Sequence, residues 1–197
     1  MPPDGETAPI ETAMRLSPPQ ILKLGIPAWN AWRARNRATV PDLSGAQLAG
    51  LDMSDANLAD VSLIGADLRG SKLVRSNLRR SRLDRANLRE ANLSGAFLGH
   101  SSLEGADLTR ANLSDADLYF ARLGRAQLVR AMARGAHLNL AQLRHADLTD
   151  AVFSGASLNG ANLAHVTLSF TDVSGADLRN AHQDGLRFDP LHWRESA

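Results

Sequence analysis

From position 43 a leucine returns every five residues, with a single substitution, Met53, before Leu128. The ladder resumes at Leu138 and runs to Leu178, where Phe153 and Val173 stand in for leucine, and Ala133 fills the step between the two stretches. Two residues before each centre stands a small residue, usually Ala, with Ser at 71, 76, 81 and 101. Two of every five positions therefore read as interior. An α-helix turns 100° per residue and would scatter leucines spaced by five around its circumference. A straight strand would send successive leucines to opposite faces. The pattern requires a chain that bends at every repeat and keeps each leucine aimed at a common axis.

The departures from leucine also indicate how many repeats close a turn. Positions 53, 133, 153 and 173 differ by multiples of 20, which predicts four repeats per coil. About seven coils stacked at the ~4.8 Å separation of paired strands would make a rod about 34 Å long.

A stack of coils has open ends that need covering. At the N-terminal end, Ser17-Pro18 reads as a helix start, and Ile21, Leu24, Ala28 and Trp32 follow near helical spacing, with Pro27 expected to kink or split the segment. Trp29 and Trp32 are expected to act as lids on the first coil. At the other end Gln183, Phe188 and Trp193 keep the step of five, so Phe188 and Trp193 read as a C-terminal cap or as a dimer contact. The expected organisation is a disordered tail over 1–16, a helical cap over 17–38, repeats over 39–188 and a C-terminal cap or tail over 189–197.

The repeats ADLRG, ANLRE, ANLSG, ADLTR and ADLTD resemble the pentapeptide-repeat family, whose pattern is A(D/N)LXX. The resemblance covers positions 41 to about 188. It implies an all-β solenoid, a right-handed quadrilateral parallel β-helix with inward leucines and inward small residues. The stretch ILKLGIPAWNAWRARN before PDLSG looks like the N-terminal cap of many bacterial members, although that cap usually lacks the internal proline. The resemblance also implies homodimer formation through the C-terminal end, as in several members.

Composition narrows the function. There is no cysteine, which excludes disulfides, thiol catalysis and thiolate zinc sites. No apolar run spans a membrane and no secretory signal pattern opens the chain, so a cytoplasmic location is expected. Nucleotide-binding, zincin and serine-hydrolase motifs are missing, and a flat-sided rod offers no deep cleft for tuned acid-base groups. The chain thus reads as non-enzymatic and without a cofactor. The Asp and Asn before each centre, such as Asp67, Asn77, Asn112 and Asp147, read as turn and ladder residues. His145 and His165, 20 apart with Arg125 beside them, should stack in adjacent coils; no third ligand completes a metal site.

Positions 20 apart form vertical stripes, which locates three surface features. The face centred on 43, 63 and 83 is the most basic, with Arg82, Arg85, Arg122, Arg125 and Arg144 against Asp42, Asp84 and Glu104. A collar of Arg69, Lys72, Arg75, Arg79, Arg80, Arg82, Arg85 and Arg89 crowds one coil with Asp84 as the single acid among positions 69–89. The face centred on 58, 78 and 98 presents Phe97, Tyr119, Phe120 and Leu140 with His100 and His137, an apolar patch of the kind that marks partner docking.

These features favour a non-catalytic protein–protein interaction scaffold whose partner the sequence does not name. The second expectation rests on the resemblance: quinolone-resistance members imitate duplex DNA and protect DNA gyrase, a role that needs a strongly acidic face. Here positions 41–183 hold 15 acidic and 15 basic residues. Nucleic-acid binding through the arginine collar ranks third.

Overall fold

The computed structural model describes residues 16–187. From Pro41 onward each repeat supplies one short extended segment and one turn, and the segments pair in parallel with partners 20 residues away, as in Asp42 with Ser62, Ser62 with Arg82 and Arg82 with Ser102. Four repeats therefore separate a segment from the one stacked on it. The rungs are backbone hydrogen bonds: Leu63 N–H donates to Arg82 O at 2.7 Å, Gly65 N–H to Asp84 O at 2.9 Å and Arg82 N–H to Val61 O at 2.9 Å. The backbone groups thus find partners in the next coil, which lets so thin a core be closed.

Each corner is a four-residue turn. Ala66 N–H donates to Leu63 O at 3.0 Å, and Gly65 between them has a φ of +62°. The same left-handed conformation recurs at residues 85, 125 and 145, which are Arg, Arg and His. The residue before the centre supports the turn from outside, because its side-chain oxygen accepts the N–H two positions on. Asn112 accepts from Ser114 at 3.0 Å, and Asp147 from Thr149 at 2.9 Å. Asp and Asn suit that position because their short side chains reach this N–H.

The interior holds the leucine ladder and the small residues, from Leu43 to Val173, in one continuous cluster. The buried serines Ser76, Ser81 and Ser101 donate to the carbonyls of Leu73, Leu78 and Leu98, whereas Ser71 Oγ is buried without a partner among the described residues. On one wall Ala133 lies beneath Phe153, both fully buried, since Met132 pairs with Val152. A small residue beneath a large ring suits a close-packed core.

Before the coils stand two helices, α1 over Pro18–Lys23 and α2 over Ile26–Arg35. Gln20 Oε1 accepts the Ser17 N–H at 2.9 Å and secures the start of α1. The break falls at Leu24 and Gly25, where Gly25 takes a φ of +105°, and Pro27 sits in the first turn of α2 rather than inside a longer helix. Leu16, expected in the tail, packs against the core. The rest of the expected tail, residues 1–15, lies outside the described residues, as does the expected C-terminal segment over 189–197.

Candidate functional site: the two edges of one face

Trp29 and Trp32 meet at 5.4 Å on α2, and Trp29, fully buried, donates its indole N–H to Asn57 O at 2.8 Å. Two residues that sequence reasoning passed over join them. Asn30 accepts the Asn57 N–H at 2.8 Å. Arg33, 5% exposed, donates to Thr39 O at 2.9 Å and to Ala59 O at 2.6 Å. Burial pulls the Arg33 guanidinium below its usual range and Asp60 opposes that shift. Phe188 and Trp193, expected at the far end, lie outside the described residues.

The corner that carries residues 100, 120 and 140 precedes the face centred on Leu103, Leu123 and Leu143. The corner that carries 105, 125, 145 and 165 follows it. These two edges hold the surface features of interest.

On the first edge three rings form one cluster. His100 stacks on Phe120 at 5.4 Å with 8° between planes, and Tyr119 meets Phe120 at 4.8 Å and His100 at 5.7 Å edge-on. Tyr119 and Phe120 are 41% and 42% exposed although each sits at an outward position. Of the remaining patch residues Phe97 and His137 are exposed as expected, and Leu140 departs from the expectation. Phe97 lies under the Arg79 guanidinium at 4.6 Å. Leu140 is half-buried rather than exposed, because its side chain folds over Gly160, where a Cβ would collide with it. His137 is exposed in the coil above Asp117. The contiguous ring cluster is thus narrower than the six-residue patch.

The collar changes character once coils are stacked. Asp52, Asp55 and Asp60 from the coil below meet Lys72, Arg75 and Arg80 at 3.7, 2.9 and 2.7 Å. Arg69 pairs with Asp67, Arg82 with Asp84 and Arg89 with Asp107. Arg79 passes over Gly99 to reach Asp117 two coils on, at 3.0 Å. Of the eight collar cations only Arg85 is without an ion pair among the described residues. Three of the paired acids lie 20 residues back in the chain, on the neighbouring coil.

On the second edge His145 and His165 stack at 4.9 Å with 7° between planes. Desolvation lowers the His145 pKa first, and the neighbouring His165, Arg144, Arg125 and Arg187 push it the same way. Beside them Glu104, Arg122, Arg125 and Arg144 border a shallow groove of about 500 Å3. Among the described residues no group of three or more His, Asp or Glu is arranged to hold a metal ion, and no helix is long and apolar enough to cross a membrane.

The family pattern described as pentapeptide repeats (8 copies) matches residues 42–80, 71–110, 81–118, 111–150 and 146–182. Among solved structures the chain is similar to HetL from the cyanobacterium Nostoc sp. strain PCC 7120, a pentapeptide repeat protein involved in heterocyst differentiation regulation. The identity is 30%, over 75% of this chain and 74% of that one, with a TM-score of 0.36. It is similar to QnrB1, a plasmid-mediated fluoroquinolone resistance protein, at 18% identity over 71% and 78% of the two chains, with a TM-score of 0.35. A pentapeptide repeat protein from the Arabidopsis thaliana thylakoid lumen matches at 28% identity over 56% and 67%, with a TM-score of 0.33. No curated protein matches the chain.

Proposed function

The chain belongs to the pentapeptide-repeat family, and from that premise we propose that it is a non-catalytic scaffold that captures a protein partner on its aromatic edge. The observation that carries this reading is the exposed ring cluster of His100, Tyr119 and Phe120. Phe120 holds a left-handed backbone, φ +55°, at a position where glycine or asparagine would be easier. A strained, exposed aromatic adds nothing to the closed core and gives a partner a rigid anchor. On the same reading α1 and α2 cap the first of about seven coils and shield the leucine ladder from solvent.

A DNA-like role on gyrase would need an open acidic face, and on this rod Asp52, Asp55 and Asp60 are each matched by a cation one coil on. The scaffold reading is tested by affinity capture from the native host, with wild-type protein and a Tyr119→Ser/Phe120→Asn variant as baits. Asn tolerates the left-handed turn, so the variant should melt within about 3 °C of wild type. Proteins enriched by wild type should fall at least about tenfold with the variant, the usual scale for losing two aromatic anchors. An unchanged set of captured proteins would rule the aromatic edge out.

A further inference from the structure

The second edge carries charge that the molecule does not neutralise. On the other faces most cations are matched by acids within ion-pair distance, as in Arg75 with Asp55, Arg110 with Glu90 and Arg130 with Asp150, with Arg134 an exception among the described residues. Arg125 and Arg144 have no ion-pair partner among the described residues, and His145 and His165 stand beside them on the same exposed edge. The acids that face this cluster are engaged. Glu104 accepts from Arg122 Nε at 3.3 Å, and Asp184, one coil above Ala164, lies 3.1 Å from His182. Gly124 lies between Glu104 and Arg144 in the same stripe, and a Cβ there would collide with the Glu104 carboxylate. The glycine thereby leaves room for the Glu104 carboxylate, which lies over it at the margin of the groove.

Like charges gathered without counter-charge destabilise the free protein and favour whatever anion neutralises them. The track is short, however. Asp84 and Glu104 bound it on one side and Asp184 on the other, so it suits a short acidic segment and would repel a continuing phosphate backbone. The groove is also too open to enclose a small molecule. We propose that the edge formed by Arg125, Arg144, His145 and His165 docks an acidic, carboxylate-bearing segment of a protein partner. This rests on the scaffold reading but uses the opposite edge of the face, so the two fail separately.

Proton linkage gives the proposal a signature. Desolvation first, and then the neighbouring His165 and arginines, depress the His145 pKa in the free protein, and a bound carboxylate would raise it again. Binding should therefore take up a proton and tighten as pH falls. The groups that face His145 from its own and the stacked coils are His165, Arg122, Arg125, Arg144 and Arg187, with Glu104 and Asp184 the acids.

The experiment titrates the full-length protein with a labelled hexaglutamate peptide at low salt and reads anisotropy. Saturable binding is expected, weakened at least about tenfold in Arg125→Gln/Arg144→Gln and unchanged in Arg134→Gln, which removes a cation from another face. The Tyr119→Ser/Phe120→Asn protein should bind the peptide as wild type does. Raising the pH from about 5.5 to about 7.5 should weaken binding, and His145→Gln should abolish that dependence. If Arg125→Gln lowers the melting temperature, Arg125→Gly, which suits the left-handed turn, takes its place. Absence of saturable binding, equal loss in Arg134→Gln, or tighter binding of a short DNA duplex would each overturn the proposal.

Discussion

At the corners of the rod, residues as different as Arg85, Glu90, Phe120 and Leu140 hold the same left-handed backbone as Gly65 and Gly105. The ladder imposes this conformation, because the N–H of the corner residue must meet a carbonyl in the next coil, as Arg85 N–H meets Glu104 O at 2.9 Å. A side chain in that region costs about 1–2 kcal/mol relative to its right-handed conformation. Replacing Arg85, whose side chain is exposed and unpaired among the described residues, by Gly should therefore raise stability by about 0.5–1 kcal/mol in urea unfolding, after the greater freedom of glycine in the unfolded chain is set against it. Gly65→Ala should do the reverse by about 1 kcal/mol. A Cβ at Gly65 meets nothing within 4 Å, so that loss would come from the backbone alone. If the two substitutions changed stability in the same direction, the corner would not be under strain.

At the scale of the repeat and its neighbours, the leucine ladder and its small companions were legible in the sequence, since a period of five fits no other regular element. The partnership of Ala133 with Phe153 was visible only as two departures from leucine on one wall. The structure makes them a matched pair in consecutive coils, both fully buried. Ala133→Leu should overfill the site and cost about 1–3 kcal/mol. Phe153→Leu should leave a void and cost about 1–2 kcal/mol. The double variant should recover at least about 1 kcal/mol of the summed losses, because each change supplies what the other lacks. Additive losses in a denaturant-based double-mutant cycle would show that the two positions pack independently. The helical segment was legible in outline too. Pro27 marks the break, but the chain separates at Leu24–Gly25 and the proline opens the second helix, where its missing N–H is unpaired in any case.

For the whole molecule, hydrogen bonds and ion pairs to the carboxylates connect acid strength to stability. Arg80 hydrogen-bonds Asp60 and holds its carboxyl below the usual range. Asp67 is held low by Arg69, and Asp42 and Asp52 by Ser44 and Ser54. Each folded-state pKa lies below its unfolded value near 4, so the stabilisation is present above about pH 4 and disappears as the carboxylates protonate on further acidification. Thermal melts should be level from about pH 7 to about pH 5 and fall steeply below about pH 4, and a melting temperature that stayed constant to about pH 2.5 would contradict the linkage. The sequence by itself determined the period, the inward residues and the 20-residue register, because a thin core admits one residue size at each inward position and repeats that demand along the chain. Only the tertiary structure decided what the surface offers. Stacking placed Asp52, Asp55 and Asp60 against the collar, folded Leu140 over Gly160, gathered His100, Tyr119 and Phe120 into one cluster, and left Arg125 and Arg144 without counter-charge. Side chains on neighbouring coils choose partners by reach and rotamer, and a linear count of charges holds neither.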